Sequence, residues 1–388
     1  MNYSRRLVAL PPYPFAEMEK IISEKQSKGE EIISFGIGDP DLPPPNFVLN
    51  ALIKALRMPG MHNYSSSEGE RFFREAVAEW YKQRFDVDLN PDTQVCSLIG
   101  SKEGLANLTR AIANPGDKII CPNPAYPVYR QAASILNENT PIDVLLNPKD
   151  NFRPDLEETA EHDFTCMFLN YPNNPTGGVA DASFLKKAYS VCKDKNAFLC
   201  YDNAYSEITF DGFEAPSILQ VDKNMERSIE FHSCSKTFNM TGFRIGFAVG
   251  NEDLVRGLKK VKSQIDSGAP KFIQHAGAEA LKSYSNGEPP KETRETIKTY
   301  EKRLNLLVRG LRKLGYKAEM PLGTFYLWVD VGGSSKEFAS KLLDQGVVVT
   351  PGPAFGSGGE GYVRFSLTVN ESLVKRALEK MKMALSEN

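Results

Sequence analysis

The segment Ser233 to Gly246, SCSKTFNMTGFRIG, places Lys236 among the hydroxyls of Ser233 and Ser235 and follows it with Arg244. A neutral lysine amine condenses with an aldehyde to form a Schiff base, hydroxyls donate to phosphate oxygens, and a planar guanidinium fork matches a phosphate face. Together these residues suit a phosphorylated aldehyde cofactor, and the candidate is pyridoxal phosphate. An isolated lysine is ordinarily a solvated surface charge, but the serines and the arginine around Lys236 argue for the chemical role. Read instead as the SxxK of a serine acyl-enzyme, the stretch lacks the SDN and KTG segments such a site needs.

Two upstream segments, NYPNNPTGG around Asn174 and FLCYDNAYSEI around Asp202 and Tyr205, supply what that cofactor needs beside its anchor. Asp202 can pair with a pyridine nitrogen and keep it protonated, so that the ring accepts a carbanion's electrons. Alone, an aspartate ending an apolar strand is a turn cap. Tyr205 and Asn174 can hydrogen-bond a phenolate and stabilise the anion beside the Schiff base. Lys236, once neutral, doubles as the general base that moves the α-proton. In LIGSKEGLANL, Gly100 and Ser101 precede a helical pattern whose free amides can face an anion, and Lys102 is placed to support the phosphate or reach a distal substrate carboxylate. Gly356, Gly358 and Gly361 match GxGxxG, but strand-like YVRFSL follows them, so the dinucleotide reading fails and a mobile turn is expected.

The elements that must position these residues alternate helical periodicity with short β-branched runs from Asn46 to about Val249, which predicts an α/β core with a mostly parallel sheet. Strands are expected at Gln94 to Leu98, Lys118 to Cys121, Thr165 to Asn170, Phe198 to Tyr201, Ser228 to Phe231 and Ile245 to Val249. Asn174, Asp202 and Ser233 to Lys236 then fall at strand ends, where such sheets bind ligands. Beyond Gly287 to Pro290 the pattern becomes a charged helix, Lys291 to Leu314, then strand Thr324 to Val329, a helix from Ser335, strands Val347 to Thr350 and Tyr362 to Leu367, and a last helix. The expected organisation is 1–45 as an arm and part of a small domain, 46–288 as a large domain and 289–388 as the small α/β domain. Helix Glu17 to Lys28 and strand Ile32 to Phe35 are expected to join the C-terminal unit.

The chain has 388 residues, 41% hydrophobic and 25% charged, which allows two packed domains. A net charge of -2 gives no general attraction to nucleic acid or anionic lipid, so the expected partner is a small molecule held at a local anion site. Six scattered cysteines form no CxxC pair and do not cluster with the four histidines, which argues against a metal site or a disulfide framework. Leu7 to Leu10 is too short for a signal peptide and no run approaches a membrane span, so a cytoplasmic location is expected.

With GIGDPD, YSSSEG, NPAYP and RFSLT, these segments resemble the class I aminotransferases, of pyridoxal phosphate fold type I, over nearly the whole chain. The resemblance implies a large domain with a seven-stranded, mostly parallel sheet. It also implies that Tyr126 stacks on the cofactor ring, that Arg364 grips the substrate α-carboxylate, that Gly38 offers backbone beside it, and that Tyr64 reaches the phosphate of a neighbouring subunit in a homodimer. Asn123-Pro124 and Asn174-Pro175 match bonds that are cis in that family. Within it, YPNNPTGGVA, YDNAYSEITFDGFEAPSIL and VVVTPGPAFGSGGEGYVRFSLT are most similar to LL-diaminopimelate aminotransferases, with Pro270 and Lys271 as a departure near the substrate entrance. The expected reaction is ping-pong amino-group exchange through Lys236. A broad-specificity aspartate, alanine or aromatic aminotransferase, or a lyase on the same fold, are the alternatives, whereas a regulator without activity should lack Lys236, Asp202 or Arg364, and all three are present.

Overall fold

The computed structural model describes residues 3–385. Its strands are β1 (Ile33–Ser34), β2 (Val95–Leu98), β3 (Lys118–Asn123), β4 (Thr140–Asn147), β5 (Arg153–Pro154), β6 (Cys166–Asn170), β7 (Phe198–Asp202), β8 (Ser228–Ser233), β9 (Gly246–Gly250), β10 (Tyr326–Asp330), β11 (Val347–Val348), β12 (Thr350–Pro351) and β13 (Tyr362–Ser366).

The central strands are apolar on both faces because both faces are covered. Met167, Leu169, Leu199 and Tyr201 enter one core with Phe73, Val77 and Trp80 of helix Arg71–Phe85, while the alternate residues Cys166, Phe168 and Cys200 enter another with Leu105 and Leu108 of helix Ser101–Ile112. Each Leu or Phe so buried contributes about 1.5–3 kcal/mol. The cysteines are free and buried, and burial pushes the thiols of Cys96, Cys121 and Cys234 up to about 12, so they act as small apolar side chains.

The large sheet has the order β2-β9-β8-β7-β6-β3-β4-β5. β3 runs parallel to β4 and β6, β6 to β7 and β7 to β8, while β9 is antiparallel to β2 and β8, and β5 to β4. The sheet is mostly parallel as expected, but it has eight strands rather than seven. β4 carries Pro141 and exposes alternate residues outside the core, and β5 is two residues long, so neither leaves an apolar run in the sequence.

The C-terminal part forms a β10-β13-β12 antiparallel sheet and a parallel β1-β11 pair. Helices Lys291–Lys313, Ser335–Asp344 and Glu371–Leu385 cover them, with Leu304, Phe338 and Val374 packed in one core with Phe35 and Val347. Ile33 pairs with Val347, so the N-terminal strand joins this unit as expected. The expected strand Val347 to Thr350 is split, because β11 pairs with β1 and β12 with β13. The glycine turn Gly356 to Gly361 was expected to be mobile, yet it is held against β3, where Gly358 N donates to Asn123 Oδ1 at 2.9 Å. Among the described residues no helix is long and apolar enough to cross a membrane.

Candidate active site

β2, β3, β6, β7 and β8 run in the same direction, so the loops that leave their C-terminal ends converge on one edge of the sheet. Those loops carry Ser101 after β2, Tyr126 after β3, Asn174 after β6, Asp202 and Tyr205 at β7, and Ser233 to Lys236 after β8. They surround a cavity of about 330 Å³, completed by Gly38 after β1, Tyr326 on β10 and Arg364 on β13. Lys102 and Arg244 line it too.

Local chemistry fixes each turn. Ser233 caps the short helix Cys234–Thr237 by accepting from Ser235 N at 3.3 Å, which turns Lys236 out of the sheet. After β6, Asn170 Oδ1 accepts from Asn174 N at 2.8 Å and Asn173 Oδ1 accepts from Thr176 N at 3.0 Å. Asn123-Pro124 and Asn174-Pro175 are cis as expected, and Tyr171-Pro172 is cis as well.

Lys236 Nζ donates to the Gly38 carbonyl at 3.0 Å, which brings the large sheet's amine against the loop that follows β1. Asp202 is buried, and burial pushes its carboxyl up to about 6, opposed by a hydrogen bond from Tyr129, the backbone N–H of Ala204 and the positive fields of His232 and Lys236. Tyr129 donates to Asp202 Oδ2 at 2.7 Å, whereas Oδ1 is buried with no partner among the described residues. A buried carboxylate oxygen left without a donor is costly, and a protonated ring nitrogen is the donor it fits.

The Arg244 guanidinium lies against the start of helix Ser101–Ile112 and makes no ion pair with a described residue. Gly100 allows this, since a Cβ there would stand 2.3 Å from Arg244 Nη2 and the backbone has φ +95°. A cation, free helix amides, and the hydroxyls of Ser101, Ser233 and Ser235 therefore line the same cavity, and Ser235 Oγ is a buried hydroxyl without a partner among the described residues. That donor set fits a phosphate.

Arg364 is buried, and burial lowers its pKa. Its Nη1 donates to Asn174 Oδ1 at 2.8 Å and its Nη2 to the Gly36 carbonyl at 2.8 Å, while Nε has no partner among the described residues. Tyr326, Phe355 and Phe15 pack round the guanidinium at 4.2, 4.6 and 5.3 Å. A guanidinium kept dry, with donors to spare, fits a carboxylate ligand.

Two expected residues lie off this cavity. Gly100 backs it through Arg244, and Tyr64 does not line it; its side chain is 88% exposed. Tyr205 bonds the hydroxyl of Tyr326 at 2.9 Å. Lys271, at the noted departure, pairs with Glu70 at 3.5 Å and lies outside the cavity wall. Sequence reasoning missed Tyr13, Phe15, Tyr129 and Tyr326, all of which line the cavity. The only signal for Tyr129 was its place three residues after Tyr126, the spacing of one helical turn.

A family profile described as "Aminotransferase class I and II" matches residues 30–381. The chain is 46% identical to an LL-diaminopimelate aminotransferase of Aquifex aeolicus over 98% of each chain, and 43% identical to one of Dehalococcoides mccartyi over 98% of each. The structure is similar to that of the aspartate aminotransferase from Thermus thermophilus with maleate, with a TM-score of 0.92 and 28% identity over 99% of this chain and 100% of that one. The chain belongs to the class I and II aminotransferase family and is a pyridoxal phosphate-dependent transferase of amino groups.

Proposed function

We propose that this enzyme is an LL-diaminopimelate aminotransferase of lysine biosynthesis, which exchanges an amino group between diaminopimelate, whose keto product cyclises to tetrahydrodipicolinate, and 2-oxoglutarate. The observation that carries the aminotransferase chemistry is one cavity holding Lys236, the half-satisfied carboxylate of Asp202 and the dry guanidinium of Arg364. The substrate reading is supported by relatives of that name in Aquifex aeolicus and Dehalococcoides mccartyi.

When bound, pyridoxal phosphate supplies an aldehyde that condenses with amines and a ring that takes up the electron pair left at an α-carbon. In our reading Lys236 Nζ would hold its aldehyde carbon until the substrate amine displaces it, and the freed amine would then take the proton from the substrate α-carbon and return it two bonds away, across the intervening nitrogen. Arg364 and the backbone at Gly38 hold the α-carboxylate, and Asn174 orients Arg364 from behind. Asp202, ionised, faces the ring nitrogen. Tyr126 would cover the ring, and Tyr205 and Asn174 would serve its oxygen. Ser101, Ser233, Ser235, Arg244 and the amides after Gly100 hold the phosphate, with Lys102 beside it or at a distal carboxylate. The exposed Tyr64 suits a homodimer in which it completes the partner's phosphate site. The same reading takes the chain as a cytoplasmic enzyme with a large unit at 46–288 and a small one formed by 289–388 and the N-terminal 1–45.

The test is the absorbance of the purified holoenzyme before and after addition of LL-diaminopimelate, glutamate, aspartate or phenylalanine. Loss of the visible band with diaminopimelate and glutamate, but little with the others, is the expected result. Equal loss with all four means a general aminotransferase, and ammonia release without a keto acid means a lyase. Lys236→Ala is expected to bind cofactor without the lysine-linked band and without turnover; full activity in that variant ends the assignment of Lys236.

A further inference from the structure

We propose that Glu19 selects substrates carrying a second ammonium group, by facing that ammonium at the mouth of the cavity. The inference rests on the diaminopimelate reading and names a contact behind it. Glu19 lies on helix Pro14–Ser27 and lines the cavity together with Phe15. The spacing of four residues puts Phe15 and Glu19 on one helix face, about 6 Å apart along the axis. The Phe15 ring is 5.3 Å from the Arg364 guanidinium. Glu19 therefore stands one helical turn from Phe15, whose ring packs against the group that suits the α-carboxylate, and on the wall of the same cavity.

The charges of the cavity lead to the same residue. Asp202, Lys236, Arg244 and Arg364 are accounted for by ring nitrogen, α-carbon, phosphate and α-carboxylate. What remains is Lys102 and two carboxylates, Glu19 and Asp39. Neither carboxylate makes a hydrogen bond or ion pair with any described residue. An unpaired carboxylate beside the substrate's path repels a distal carboxylate and gives an apolar side chain nothing to bind; it favours a distal ammonium, leaving Lys102 for the carboxylate next to it. Asp39 directly follows Gly38, whose carbonyl receives Lys236 Nζ, so it lies near the reacting amine rather than the substrate's far end. Glu19 is the better placed of the two.

The experiment compares kcat/KM of the holoenzyme for LL-diaminopimelate and for 2-aminopimelate, which lacks only the second amino group, with 2-oxoglutarate as acceptor. Wild type is expected to favour diaminopimelate. Glu19→Gln is expected to lower that preference about tenfold or more, the loss of one charge-assisted hydrogen bond, and Glu19→Asp to keep most of it. Glu19→Lys is expected to reverse it. A preference that survives Glu19→Gln unchanged overturns the role of Glu19 while leaving the substrate intact. A wild-type enzyme that does not use diaminopimelate at all overturns the substrate reading itself, and the cofactor band of each variant shows that the comparison is between folded holoenzymes.

Discussion

Tyr129 donates a 2.7 Å hydrogen bond to Asp202 Oδ2 and leaves Oδ1 buried and open. The tyrosine is itself buried and stacked on Phe168 at 5.2 Å, so it holds the carboxyl plane from a fixed position. One oxygen is thereby spent on orientation and the other is kept for a ligand. This is how β7 can end in a buried carboxylate without turning it toward the sheet.

Removing that bond has a directional consequence. The tyrosine hydroxyl stabilises the ionised form of Asp202, so Tyr129→Phe raises a carboxyl that burial already pushes up to about 6. The pH below which cofactor binding weakens is expected to move upward, and kcat to fall about tenfold to hundredfold, the range for a hydrogen bond to a charged group. Cofactor titrations across pH, beside turnover at neutral pH, measure both. A loss of kcat with no shift in the binding profile counts against Asp202 as the route.

Asp202 also sets a stability cost. Its carboxyl binds a proton more tightly folded than unfolded, so the apoprotein loses stability as pH rises from about 4 through about 6 and levels off above, a loss of about 2–3 kcal/mol. Asp202→Asn, which can still accept from Tyr129, is expected to lack that drop and to be more stable than wild type at pH 7.5, with activity lost. Urea unfolding of both apoproteins over this pH range is the measurement, and a parallel pair of curves contradicts it.

Gly100 is expected to be intolerant for two separable reasons. Gly100→Ala adds a Cβ 2.3 Å from Arg244 Nη2 at a backbone with φ +95°. The strain costs about 1–2 kcal/mol of stability, and displacement of Arg244 should weaken cofactor binding at least tenfold. Gly116, with φ +90° and nothing within 4 Å, is the control. Gly116→Ala should show the first effect without the second.

Arg364→Lys keeps a positive charge but loses the fork that reaches Asn174 and Gly36 together. A loss of about a hundredfold or more in kcat/KM is expected, and it should be the same for diaminopimelate and glutamate, because the α-carboxylate is common to both. Steady-state kinetics with the two donors test this, and a loss confined to one donor would place Arg364 at the side chain instead.

Much of this was legible in the chain itself. Lys236, Asp202 and Asn174 are local statements: a residue type at the end of an apolar run, with a cap or turn residue beside it. The central strands were visible because burial on both faces leaves uninterrupted apolar runs, while β4 and β5, outside that protection, were not. What sequence could not reach were contacts between residues far apart along the chain. Tyr205 with Tyr326, Arg364 with Gly36, Phe15 against Arg364 and Lys236 on the Gly38 carbonyl each join two of the N-terminal segment, the C-terminal unit and the edge of the large sheet.

The sequence by itself determined the chemistry, because periodicity and turn residues place one lysine, one aspartate and the phosphate donors at successive strand ends, and a parallel sheet brings strand ends to a common edge. Only the tertiary structure decided which oxygen of Asp202 is open, which carbonyls hold Arg364, and that an acidic residue on the first long helix faces the same cavity. Those are matters of distance between segments that share no local pattern, fixed by tertiary packing.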